Sequence, residues 1–210
     1  MKQDNIKKDK TYYPDFDVLN SIKEWDPITT DIVLKRLGPF PELKFLNKDE
    51  EQKLITIIKH LIYDNRDNII NWIIHFIDQR LDDNKGEYQR KHKSPPEDIL
   101  IREGLKALDT LAQKKYNKDF LSVKVKEQFN ILSSLQVGKA DKIPDWKNIP
   151  QKVLFDKLLV LSVSDYYSHP TIWSEIGFGG PAYPRGYYRI EFGITDPWEA
   201  KQNNSTEEES

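Results

Sequence analysis

The sequence contains no cysteine. Disulfides, thiolate metal sites and a cysteine nucleophile are thereby excluded, and the absence fits a reducing compartment. Long apolar runs are missing as well. The most apolar window, Ile69 to Ile77, is about half the length that a bilayer-spanning helix needs. Charge of one sign is not in excess, since 32 basic and 34 acidic residues leave a formal charge of −2. That balance offers nothing special to a nucleic acid. The charged start MKQDNIKKDK is followed by TYYPDFD, with neither an apolar leader segment nor a twin arginine. The chain reads as soluble. Its 210 residues are most simply one domain, large enough to bury roughly 70% of the surface exposed on unfolding.

Glycine is scarce, with nine in the chain, yet five of them fall between Tyr166 and Trp198. The same 33 positions hold nine of the 24 aromatic residues and four of the twelve prolines. Pro170, Pro181, Pro184 and Pro197 each remove a backbone donor, which argues against a regular helix. The aromatic content argues equally against a disordered tail. The stretch therefore predicts an ordered, non-helical loop whose rings pack on a scaffold supplied by the rest of the chain.

The remainder reads as helical. Residues 1–10 form a solvated lead, and residues 11–45 an arm with short clusters at Tyr12-Tyr13, Trp25, Phe40 and Phe45. A short helix, Thr29 to Leu37, is ended by Gly38-Pro39. Asn47 and Glu50 make a capping-box pattern ahead of Leu54, Ile58, Leu61 and Ile62. A largely buried helix runs from Asn68 to Leu81, and residues 82–95 form a polar loop. Pro96 starts a helix bearing Ile101, Leu105, Leu108 and Ala112, and Gly104 inside it points to a close helix crossing. Another helix, Ser122 to Leu135, shows Val125, Phe129 and Leu132 as its apolar face. The last, Pro150 to about Tyr167, is apolar nearly all round and so central. The expected fold is all-α: a bundle of about five main helices, an extended N-terminal arm and an irregular C-terminal loop. One domain, 11–198, comprises the arm (11–45), the helical body (46–168) and the ordered loop (169–198), with an acidic tail over 199–210.

Candidate chemistry is sparse. Gly177-Phe178-Gly179-Gly180 is followed at once by Pro181 rather than by a helix, so it reads as a tight turn against rings and not as a phosphate cradle. His60 could pair with Asp64 one turn on, while His75 and His92 read as surface or capping residues. None belongs to a two-histidine metal pair. His169, before Pro170 and with Asp165 and Glu175 nearby, has the residue types for acid–base work. The simpler reading is a packed ring whose nitrogens fix the loop. Arg185 and Arg189, flanking Gly186-Tyr187-Tyr188, have two readings, anchoring a partner and locking the loop through Asp165, Glu175 or Glu191, and both can hold on different faces.

In YYSHPTIWSEIGFGGPAYPRGYYRI the chain resembles the gluconate 2-dehydrogenase subunit 3 family. The resemblance continues in Arg102-Glu103-Gly104-Leu105-Lys106-Ala107-Leu108-Asp109, in Phe120, Gln128 and Leu132, and in Trp25-Asp26-Pro27 and Arg36-Leu37 of the arm. It implies a non-catalytic accessory subunit that supports assembly of a large FAD-binding dehydrogenase of the glucose–methanol–choline type. In many such complexes a cytochrome subunit takes the electrons. By this resemblance the chain itself holds no cofactor, and FAD sits in the partner, which oxidises gluconate or a related sugar or polyol. Without the export signal frequent in the family, the expected location is the cytoplasm or the cytoplasmic face of the membrane. The expected partner-binding residues are Trp25, Tyr167, His169, Trp173, Glu175, Phe178, Tyr183, Arg185, Tyr187 and Arg189, with Trp173 and Arg185 foremost. Two rival readings remain. One is a stand-alone enzyme or ligand binder with a pocket around His169, Glu175, Arg185 and Tyr187; the other is a structural protein that self-associates through the same face.

Overall fold

The computed structural model describes residues 11, 13–83, 94–186 and 195–201. The lead 1–10, Tyr12, most of the expected loop 82–95 with His92, the segment bearing Tyr187, Tyr188, Arg189 and Glu191, and the tail from 202 lie outside the described residues. Among the described residues seven α-helices follow in order: α1 (Pro27–Leu34), α2 (Lys48–Ile62), α3 (Asp67–Asp82), α4 (Glu97–Tyr116), α5 (Val125–Gln136), α6 (Gln151–Tyr166) and α7 (Pro170–Ile176). Short 3-10 turns lie at Val18–Glu24, Lys35–Leu37, Phe120–Ser122 and Pro144–Lys147. The described residues contain no strand, and the fold is all-α. The chain divides into two compact units, residues 40–166 and residues 1–39 with 167–210.

The first of these is a five-helix body, α2 to α6. Asn47 caps α2 by accepting from the amides of Asp49 and Glu50, and Glu50 returns a carboxylate oxygen to the Asn47 amide. Three of the four orphan donors at this helix start thus have a side-chain partner or are tied into the box. Leu54, Ile57 and Ile58 of α2 and Ile69, Ile70, Ile73 and Ile77 of α3 are buried, and α2, α3 and α4 pack on one another. Each such side chain contributes roughly 1.5–3 kcal/mol on full burial. Helix α6 packs against α2, α3, α4 and α5 alike, and its Leu154, Phe155, Leu158 and Leu161 are buried. This is the central helix that its all-round apolar sequence predicts.

Gly104 marks the crossing of α4 and α6. A Cβ at this position would run into Leu154 Cδ1 and stand 2.8 Å from Cδ2, so the absence of a side chain is what lets the helices close. Arg102 donates to the Glu50 carboxylate at 2.8 Å and to the Phe45 carbonyl at 2.7 Å, with its guanidinium 4.0 Å over the Phe45 ring. Asp109 pairs with Lys53 and accepts the Phe120 amide at 3.0 Å. Burial alone would push the Lys53 ammonium down, but Asp109 and Asp49 outweigh it and hold the group above its usual value. Gln128 donates to the Phe120 carbonyl. The residues Arg102, Gly104, Asp109, Phe120 and Gln128, noticed first as a sequence pattern, are therefore the latches between helices of this body.

Four local expectations are corrected. Helix α1 starts at Pro27 and gives way to a 3-10 turn after Leu34, with Asp26 capping it through the amides of Ile28 and Thr29. In α5, Val125 and Phe129 do not face the core. They are 71% and 45% exposed, and the buried stripe is Gln128, Ile131, Leu132 and Leu135. His60 bonds to Gln128 at 3.0 Å rather than to Asp64, because Asp64 is occupied by Arg66 and the Tyr166 hydroxyl. Burial would raise the Asp64 carboxyl, but these hydrogen bonds, Arg66 above all, leave it below the ordinary carboxylate value. His75 is buried rather than at the surface, stacked 5.1 Å from the Phe40 ring. Burial pushes its pKa down, and Asp78 offsets this only in part.

Candidate functional site

The second unit joins the arm, residues 11–39, to the segment after α6. Here the stretch expected to be wholly non-helical contains a helix. Pro170 occupies the first turn of α7, where its missing N–H costs nothing, and His169 is the N-cap. His169 Nδ1 accepts the Thr171 amide at 3.2 Å, and the residue is 1% exposed. The ring fixes the start of α7, as the simpler reading of this histidine predicts.

Helix α7 lasts seven residues and exists to place Trp173. That indole is 6% exposed, donates Nε1–H to the Tyr167 carbonyl at 2.6 Å and meets Phe178 edge-on at 5.5 Å. Arg36 lies 5.1 Å over the other part of the ring and donates to the Ser168 carbonyl at 2.7 Å. With Val18, Trp25 and Val33, Trp173 forms the core of the unit. The arm enters this core at a 3-10 turn whose first amide, Val18 N–H, bonds to Ser174 Oγ. Thr11 Oγ1 donates to the Glu175 carbonyl at 2.6 Å.

The Gly177–Gly180 run sits against the rings of Tyr13, Trp25 and Trp198. At Gly180 the constraint is double. Its φ is +78°, a region side chains resist, and a Cβ would lie 2.7 Å from Trp25 Cζ2. This is the tight turn against aromatic rings read from the sequence.

Arg185 closes the unit. One guanidinium nitrogen donates to the Gly179 carbonyl at 2.6 Å and to the Pro181 carbonyl at 2.9 Å, while the other meets Glu24 at 3.0 Å. The group lies 4.6 Å over Trp198 and 6.0 Å over Trp25, and the side chain is 7% exposed. Of the two readings open for this residue, the geometry shows the lock. Its carboxylate is Glu24, which lies 161 positions away.

The structure thus brings Trp25, His169, Trp173 and Arg185 together as internal parts of one unit. Tyr167, Phe178 and Tyr183 stand at its surface, Tyr183 at 69% exposure, and Glu175 is half-buried. Tyr187 and Arg189 lie outside the described residues. The sequence did not single out Glu24 or Val18, nor the ring contacts of Arg36 and Trp198, which depend on residues remote along the chain. Nor did it single out Ile28 or Ile176, and Ile32, read as part of a short helix, is left exposed with Ile28 on one face of α1. In chemical terms His169 and Arg185 are spent on capping and locking, while Ile28, Ile32, Ile176, Phe178 and Tyr183 stay exposed.

A cavity of about 530 Å³ lies in the five-helix body, lined by Pro95, Ile99, Glu103, Pro144, Asp145, Asn148 and Ile149. None of the residues expected to form a ligand pocket lines it. Among the described residues, no group of three acidic or histidine side chains could hold a metal ion, and no helix is long and apolar enough to cross a membrane.

Comparison with known proteins gives one match. A family model described as gluconate 2-dehydrogenase subunit 3 covers residues 48–180, more than half of the chain, from the start of α2 to Gly180. No curated protein and no solved structure matches.

Proposed function

The chain belongs to the gluconate 2-dehydrogenase subunit 3 family, and from that premise we propose that it is a non-catalytic accessory subunit of a flavin-dependent dehydrogenase. Its partner is a large subunit of the glucose–methanol–choline type, which holds FAD and oxidises gluconate or a related sugar or polyol. A cytochrome subunit completes the complex where electrons leave for a membrane acceptor. This chain supplies assembly and stability, and its own residues bind no flavin.

The observation that carries the reading is the make-up of the unit around α7. Trp25, Trp173 and the Arg185 side chain are locked inward, while Ile28, Ile32, Ile176, Phe178 and Tyr183 remain exposed. Large apolar side chains kept in water around an ordered turn suit a protein contact. A permanent subunit contact buries over about 2,000 Å² in total, and aromatic anchors near its centre are worth about 2 kcal/mol or more each.

The test is co-expression with a large flavoprotein subunit of the glucose–methanol–choline type. Ile28→Ser with Ile32→Ser alters exposed side chains and should leave thermal stability within about 0.5 kcal/mol; Phe178→Ser with Tyr183→Ser gives up the edge contact of Phe178 with Trp173, about 0.5–1.5 kcal/mol, and keeps the fold. Either pair is expected to weaken co-purification by about 30-fold or more, and FAD should stay with the large subunit. Undiminished co-purification of both double variants would remove this face from the complex. Flavin bound by this chain alone, with oxidation of a sugar acid, would remove the accessory role itself.

A further inference from the structure

Residues 113–152 carry nine lysines, no arginine and four acidic residues, a net of +5 in a chain whose total is −2. They run from the last turn of α4 through the Phe120–Ser122 turn and α5 to the start of α6. Lys115, Lys118, Lys124 and Lys126 are exposed. Of the acids, Glu127 is engaged in the helix, its carboxylate accepting the Lys124 amide at 2.8 Å.

The same stretch leaves Leu121, Val125, Phe129 and Val137 in water. Helix α5 has no need of them for its core, because Gln128, Ile131, Leu132 and Leu135 already fill its inner side. Val125 and Phe129 stand one turn apart on one flank, and Lys124 and Lys126 bracket Val125. An apolar row set among lysines fits a surface that is anionic and apolar at once.

Two occupants have that chemistry, an acidic protein face and an anionic bilayer. A protein face presents carboxylates at fixed points, for which the arginine fork is the matching donor, and this stretch has no arginine. A bilayer presents charge spread over headgroups with hydrocarbon a few ångströms below. Lysine stems can lie along it with their ammonium groups outward, while short apolar tips enter. We propose that the α5 edge rests on an anionic lipid surface as a peripheral, non-spanning contact. This inference uses none of the residues around α7 and stands independently of the accessory-subunit reading.

The full-length chain is floated with vesicles of phosphatidylcholine alone and of phosphatidylcholine with about one-third phosphatidylglycerol. Binding is expected only to the anionic vesicles at low salt and is lost at about 0.5 M salt. Lys124→Gln with Lys126→Gln should weaken it by roughly 20- to 30-fold, about fivefold for each lysine. Val125→Ser, at a side chain 71% exposed, should weaken it with the melting temperature unchanged, and adding Phe129→Ser should weaken it further at the cost of the edge contact with His60. Equal binding to neutral vesicles, no binding to anionic ones at low salt, or charge variants that bind like the parent chain would each overturn the proposal. Failure on vesicles combined with capture by immobilised polyglutamate would reassign the edge to an acidic protein.

Discussion

Replacing Arg185 with alanine removes the side chain that ties the arm, the Gly179–Pro181 turn and Trp198 to one another. Its two bonds to backbone carbonyls are made by a charged donor at 2.6 and 2.9 Å, and bonds of that kind are worth about 1.5 kcal/mol or more each. The guanidinium over Trp198 adds about 0.5–1 kcal/mol. Glu24 is half-exposed, so its ion pair adds no more than about 0.5 kcal/mol. The expected loss for Arg185→Ala is thus about 3–5 kcal/mol for this unit. Arg185→Lys should recover little, because an ammonium keeps the charge without the planar fork that reaches two carbonyls and a carboxylate together. Glu24→Gln should cost under about 1 kcal/mol. Hydrogen exchange is the direct assay, read at residues 11–39 and 167–186 and, as internal control, at α2 and α6. Arg185→Ala should collapse protection in the first set while α2 and α6 keep theirs. The reasoning fails if Glu24→Gln costs as much as Arg185→Ala, or if lysine restores full protection. Either result would make the ion pair, and not the carbonyl fork, the element that matters.

Gly104→Ala gains about 1 kcal/mol of helix propensity but forces a methyl group into Leu154, so a net loss of about 1–2 kcal/mol in urea unfolding is expected. Adding Leu154→Val should cost less than the sum of the two single changes; strict additivity would show that the two helices do not meet there. His75, buried and with its pKa pushed down, takes up a proton in the unfolded chain before it does in the folded one. Stability should therefore fall as pH drops through about 6.5, the unfolded value. His75→Gln should flatten that slope between about pH 7.5 and 5.5, and a variant as pH-sensitive as the parent chain would rule out this origin.

What could be read from the sequence was whatever depends on neighbours along the chain. The Asn47–Glu50 box, the start of α4 at Pro96 and the close crossing at Gly104 all follow from spacing or from one residue's sterics. Helix α7 escaped notice because its proline was counted as a breaker, although at the first turn a proline is compatible with a helix. The face of α5 was misjudged for a subtler reason. Val125 and Phe129 look like the apolar stripe, whereas the true inner side includes the amide of Gln128. A buried amide makes sense only once its partners, the Phe120 carbonyl and His60, are known. The Arg185–Glu24 contact obeys no local rule at all. Composition pointed to an ordered aromatic turn, but which rings close on it is decided by an arm more than 130 positions away.

The unit around α7 is stitched from two parts of the chain separated by the whole five-helix body, with Thr11 reaching Glu175 and Glu24 reaching Arg185. During synthesis the arm leaves the ribosome long before the residues that complete its core. At typical elongation speeds it waits roughly ten seconds for them, with Val18, Trp25 and Val33 lacking the indole of Trp173. A chain stopped short of α7 keeps every helix of the body yet lacks the residues that complete the core of this unit. In any truncated product the apolar side chains of the arm are thereby left without the ring that closes their core.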